Sequence, residues 1–251
     1  MGESNTSPVD QAFMLRFVFI LLALLRPATA APLLLAQGTT AARVEDAPAA
    51  TLLGGYLLPA PGQPPEGMEK EAFAKTAPLA TLRIDWLNQT PAPEEFEVAV
   101  TMERRIITST LRLGKTGITR TILATPEAFF LHIVADQPGA IAFRTTLTST
   151  REGKTTPSGR NELLWSSADY SPAKTYVRVI PFESDVEADG DAIVLRGEGE
   201  CLVIFSLTGL DSAEKPLSGT WQRLAATLDP GEEHPDPSKI WQAILARATA
   251  P

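Results

Sequence analysis

Residues 129–148 read Phe-Phe-Leu-His-Ile-Val-Ala-Asp-Gln-Pro-Gly-Ala-Ile-Ala-Phe-Arg-Thr-Thr-Leu-Thr. Two runs rich in apolar and β-branched residues, Phe129–Ala135 and Ala140–Thr148, flank the pair Pro138-Gly139. Proline presets φ and glycine accepts positive φ, so this pair turns the chain between two strands. Runs of this length, bounded by turn residues, are strands.

The same pattern continues in both directions. It predicts further strands over Ala80–Trp86, Glu95–Thr101, Arg105–Leu113, Ile118–Ala124, Glu162–Ser166, Lys174–Ile180, Ala192–Arg196 and Cys201–Leu207. Leu113-Gly114-Lys115-Thr116 and Ala188-Asp189-Gly190-Asp191 carry the chemistry of tight hairpin turns. Many short strands at roughly ten-residue spacing define an all-β fold. We expect a large antiparallel β-sandwich of the super-sandwich type over residues 78–212.

On either side of that span the composition changes. Residues 31–77 are rich in Ala, Pro and Gly, with Pro59-Ala60-Pro61-Gly62-Gln63-Pro64-Pro65 as the stiffest part, and read as a leader in which only Ala50–Leu58 suits an edge strand. Residues 213–251 read as an acidic linker ending in a helix, with a second short helix over Gly219–Leu228. In Lys239–Ala248 the residues Ile240, Trp241, Ile244 and Leu245 form one apolar stripe, with Ser238 or Asp236 as cap. About three turns of helix are marginal alone in water, so the stripe needs a surface to lie on.

The first 30 residues read as a signal peptide. Arg16 precedes the apolar run Phe17–Leu25, and Ala28-Thr29-Ala30 places small residues at the cleavage spacing, so cleavage is expected between Ala30 and Ala31. The run is too short to span a bilayer, which needs about 20 residues. The expected location is secreted or periplasmic. Glu3 and Asp10 are unusual for such a signal, which makes Met14 a rival to Met1 as the start.

Composition excludes several functions. With 22 Lys+Arg against 30 Asp+Glu the net charge is −8, and no basic stripe exists to meet a phosphate backbone, so no nucleic-acid partner is expected. Cys201 is the single cysteine, which rules out a disulfide framework and a four-thiolate zinc site. Its neighbours Leu202-Val203-Ile204-Phe205 make it a small buried strand residue. Of the two histidines, His132 lies mid-strand, facing outward, and His234 lies in the acidic linker, so neither a Ser-His-Asp triad nor a metal site is expected. No cofactor is expected either.

Two acidic patterns call for a decision. Asp185, Glu187 and Asp189 before Gly190 imitate a calcium loop, but position twelve is Arg196 where a bidentate acid is required, so a solvated hairpin is the better reading. Paired carboxylates would suit glycoside hydrolysis, yet Glu94-Glu95, Glu198 to Glu200 and Glu232-Glu233 read as turn and edge charges. No catalytic residue is therefore assigned. Among aromatics, Trp86 and Tyr176 suit the core. Trp165 and Tyr170 flank the polar stretch Ser166-Ser167-Ala168-Asp169 and are the candidate carbohydrate-stacking residues.

Several stretches, taken in order, resemble the N-terminal β-sandwich domain of glycoside hydrolase family 95, the inverting α-L-fucosidases and related α-L-galactosidases. They are Pro78–Trp86, Leu111–Thr121, Ala124-Thr125-Pro126-Glu127, Leu131–Leu147, Ala188-Asp189-Gly190 and Glu198–Leu207. The family's opening segment is not recognisable between Ala31 and Gly67. The resemblance implies that catalysis resides in a helical barrel following the sandwich, and none of the family's catalytic residues maps onto this sequence. It thus implies an exported accessory or truncated glycosidase domain, inactive alone, whose partner is a glycan or a glycosidase helical domain. The alternatives are a subunit of a split glycosidase and a structural envelope protein.

Overall fold

The computed structural model describes residues 33–37, 40–47, 49–57, 77–87, 96–97, 106–125, 128–167, 174–184, 186–207 and 237–248. In chain order these form β1 (Leu33–Gln37), β2 (Thr40–Asp46), β3 (Ala50–Leu57), β4 (Ala80–Trp86), β5 (Phe96–Glu97), β6 (Ile106–Leu113), β7 (Thr116–Ala124) and β8 (Phe129–Ala135). There follow β9 (Ile141–Thr148), β10 (Lys154–Pro157), β11 (Glu162–Ser166), β12 (Lys174–Pro181), β13 (Val186–Asp189), β14 (Ala192–Glu198), β15 (Glu200–Leu207) and a helix, α1 (Pro237–Ala248).

The strands build two antiparallel sheets, a sandwich as expected. One has seven strands in the order β1-β2-β3-β4-β9-β14-β13, the other eight in the order β10-β11-β12-β15-β8-β7-β6-β5. Strands alternate their side chains between faces, so β4 turns Leu82 and Ile84 inward at 0% exposure and Arg83 outward. Between the sheets lies one core that includes Leu53, Leu82, Ile84, Phe143, Leu131, Val203, Phe205 and Trp165.

Residues 33–57 differ from the leader reading. They supply β1, β2 and β3, and β3 is an interior strand paired on one side with β2 and on the other with β4. The strand expected over Ala50–Leu58 is present as β3, but inside the sheet and not at its edge. Packing explains Gly55, because a Cβ there would lie 2.8 Å from Leu207 Cδ1 and 2.9 Å from Phe205 Cζ. The glycine lets the opposite sheet approach.

Pro138-Gly139 does turn the chain, with Gly139 at φ 74°, but the strands it joins do not pair. β8 pairs with β7 and β15 in one sheet, while β9 pairs with β4 and β14 in the other. The turn is a corner from layer to layer. A second corner lies beside it, where β14 passes into β15 through Gly197-Glu198-Gly199, with Gly197 at φ 74°. The predicted hairpins at Gly114 and Gly190 are present, both glycines having positive φ. At the latter β13 and β14 pair from Val186↔Leu195 to Asp189↔Ala192, the hairpin and not the calcium loop.

A third crossing, from β9 to β10, passes Gly153. A Cβ there would sit 2.7 Å from the Ser166 carbonyl oxygen and 2.7 Å from the Trp165 ring. The Gly153→Ala variant is expected to lose about 1–3 kcal/mol through overpacking, since backbone cannot step aside as a flexible side chain does. Thermal unfolding measures this, and an unchanged midpoint would mean that the crossing yields freely.

Candidate functional site

The two sheets differ on their outer faces. That of the seven-stranded sheet carries paired charges in solvent: Arg83 Nη2 lies 2.6 Å from Asp85 Oδ1, Arg43 Nε lies 3.0 Å from Glu45 Oε1, and Arg144 bonds Asp189. The outer face of the eight-stranded sheet carries an apolar patch, beside polar residues such as Arg112, Thr119 and the cross-strand pair Glu162 and Arg178. Leu123, Phe130, Leu202, Ile204, Tyr176 and Ile180 form a second cluster there, closed by Ile240, Trp241 and Ile244 of α1. This is the apolar stripe read from the sequence, and it lies against the sheet it needed.

Beneath α1 sits a polar group. Glu200 Oε1 accepts hydrogen bonds from His132 Nε2 at 2.7 Å and from Ser238 Oγ at 2.6 Å. The His132 ring stacks on Trp241 with centroids 4.9 Å apart and an interplanar angle of 22°. His132 thus faces outward from its sheet as expected, but the helix covers it and leaves its side chain 12% exposed. Ser238, one of the two residues expected as a cap, lies in the first turn of α1 and reaches the sheet, while Asp236, the other, lies outside the described residues.

A separate polar centre bridges the two sheets. Arg120 on β7 is 1% exposed, and its Nη1 bonds Asp46 Oδ1 on β2 at 2.8 Å and Thr51 Oγ1 on β3 at 2.9 Å. Thr51 donates to Asp46 Oδ1 at 2.7 Å, and Ser109 on β6 donates to Asp46 Oδ2. The guanidinium carbon lies 5.6 Å from the centre of the Trp86 ring. Burial lowers the Arg120 pKa from its ordinary value, and the adjacent Asp46 opposes that shift. The sequence reading missed this cluster. Its one visible signal is an arginine at an inward position of β7, between Ile118 and Ile122.

Glu198 corrects the reading of its segment as edge charge. It is 2% exposed, and its Oε2 accepts from the backbone N–H groups of Phe182, Glu183 and Ser184 at 3.1, 3.1 and 2.9 Å, while Oε1 accepts from Gly199 N at 2.9 Å. A buried carboxylate is tolerated when donors replace its water, as they do here. It ties the crossing from β12 to β13 to the corner between β14 and β15.

Trp165 was a candidate sugar-stacking residue, but at 2% exposure it is packed between the sheets. A ring enclosed in this way has no free face for a sugar. Tyr170, Ala30 and Ala31 lie outside the described residues, as do Gly219–Leu228, Glu94-Glu95 and Glu232-Glu233. Trp86 packs against the core as expected, and Tyr176 is buried under α1. Among the described residues no group of three His, Cys, Asp or Glu is placed to hold a metal ion, and no helix is long and apolar enough to cross a membrane.

Cys201 is fully enclosed. Burial pushes its thiol well above the ordinary range, with Glu198 and Glu200 adding to the effect. Because the thiolate is the reactive form, a maleimide is expected to leave Cys201 unmodified in the native protein and to label it after denaturation. Rapid native labelling followed by mass spectrometry would contradict that.

No family model matches the chain, and no curated protein matches it. Among solved structures, a human-microbiome protein assigned as a kojibiose phosphorylase aligns over 83% of this chain and 34% of its own, with a TM-score of 0.40 and 11% identity. The chain spans about a third of the length of that structure.

Proposed function

We propose that this protein is an exported accessory domain of the glycoside-hydrolase kind, α-L-fucosidase-like, that engages carbohydrate and has no catalytic activity alone. The observation that carries the reading is the asymmetry of the sandwich. One outer face is solvated by ion pairs, whereas the other carries an apolar patch that receives a helix, as suits a sandwich that works beside helical chain. The family 95 resemblance of Leu131–Leu147 and Glu198–Leu207 supports the same reading, since these segments form the strands and the corner that lead to that face.

The test is calorimetric titration of the purified protein with fucosylated and galactosylated oligosaccharides, alongside an assay for released sugar. Binding without release is expected. Release of fucose would overturn the claim of inactivity, and absence of binding to every glycan would favour a structural envelope protein. Export is tested by N-terminal sequencing of the mature chain, expected to begin at Ala31.

The helix-bearing face also favours a second reading, a subunit that docks onto a separate helical glycosidase chain. Co-purification from the native source separates the two, because a solitary monomer speaks against an obligate partner.

A further inference from the structure

Helix α1 is held to the sheet in two ways of different physical character. Ile240, Trp241 and Ile244 pack on Phe130, Leu202 and Ile204, burying apolar surface on both sides. Such packing is non-directional and scales with area, so an apolar stripe on an apolar sheet tolerates displacement along its axis by a turn, about 5.4 Å. The group around Glu200 tolerates no such shift. One carboxylate oxygen on β15 accepts from His132 on β8 at 2.7 Å and from Ser238 on α1 at 2.6 Å. The imidazole lies on the Trp241 indole at 4.9 Å. Ser238 and Trp241 are three residues apart, hence on one helix face, where Ser238 meets Glu200 and Trp241 meets His132, the residue bonded to Glu200.

We propose that the His132–Glu200–Ser238 clasp, with the stacked Trp241, fixes the register of α1 on the sheet, while the apolar stripe supplies the strength of docking. A turn's displacement breaks the Ser238 bond and unstacks the rings, yet leaves apolar surface against apolar surface. A hydrogen bond to a carboxylate is strong enough to suppress an alternative register tenfold or more.

The experiment uses the full chain, with nuclear magnetic resonance of the Trp241 indole N–H and hydrogen exchange of the α1 amides. In Glu200→Ala, α1 is expected to keep its exchange protection, while the indole signal divides into two, the minor one holding about a tenth or more of the intensity. Glu200→Gln, which retains an acceptor oxygen, is expected to restore one signal. A single indole signal at the wild-type position in Glu200→Ala would overturn the proposal. So would loss of α1 protection, because the clasp would then be supplying docking strength. Ser238→Ala alters only the helix side and applies the same test should Glu200→Ala fail to fold.

Discussion

The Asp46→Ala variant is expected to lose about 3–5 kcal/mol of stability, since it leaves the Arg120 guanidinium buried without its counter-charge. Arg120 has a fully enclosed side chain and Asp46 one that is 7% exposed, so water cannot take over the lost carboxylate. Thr51 and Ser109 both donate to Asp46 and lose an acceptor in the same step. The double variant Asp46→Leu with Arg120→Met should recover most of the loss, because an apolar pair removes the desolvation cost along with the attraction. Urea unfolding of the two variants beside the parent decides the matter. A loss below about 1 kcal/mol for Asp46→Ala would show that the pair is effectively solvated.

Trp165→Ala is expected to lose a similar 3–5 kcal/mol through the cavity it leaves. Trp165 spans the core, 2% exposed, with the Gly153 crossing pressed against its ring, so neighbouring backbone has little freedom to collapse into the gap. Trp165→Phe, which keeps much of the volume, should cost about 1.5 kcal/mol or less. If Trp165→Phe unfolds normally yet loses oligosaccharide affinity, the ring has a recognition role that its burial does not reveal. Under the proposed carbohydrate-binding function, affinity unchanged from the parent is the expected result.

The central strands were legible in the sequence because they carry strong signals. Ala80–Trp86, Phe129–Ala135 and Glu162–Ser166 match the observed strands end to end. Around them, glycines at Gly114, Gly139 and Gly190 mark turns that require positive φ. What escaped notice lacks a local signal. β2 reads Thr-Ala-Ala-Arg-Val-Glu-Asp, whose small residues form a strand only because β1 and β3 pair with it and the opposing sheet packs close. β10 and β13 have four residues each and are fixed by their partners β11 and β14.

The polar centres were opaque for a related reason. Ser109 and Arg120 face each other across the β6–β7 hairpin, but Asp46 is distant in sequence, and only the stacking of the sheets brings it to them. Glu198 resembled an edge charge because the donors it accepts from are main-chain groups, which no residue type announces. The helix stripe, by contrast, was readable from Ile240, Trp241 and Ile244 alone, since one apolar face on a short helix already implies a receiving surface.

One consequence of the Gly197–Gly199 corner concerns β15. Most strands of a sandwich declare which side is which, because polar and apolar residues alternate and a slip by one residue would expose the apolar set. β15 makes no such declaration: Cys201, Val203 and Phe205 look into the core, Leu202 and Ile204 look toward α1, and all are 2% exposed or less. Hydrophobicity is therefore blind to phase along residues 201–205, and only Glu200 and Ser206 at the strand's two ends mark the outward parity. Phase is imposed from its first residues, where Glu198 is locked by four main-chain donors just before the strand begins. The corner acts as the punctuation mark from which an otherwise ambiguous line of apolar residues is read in the correct frame.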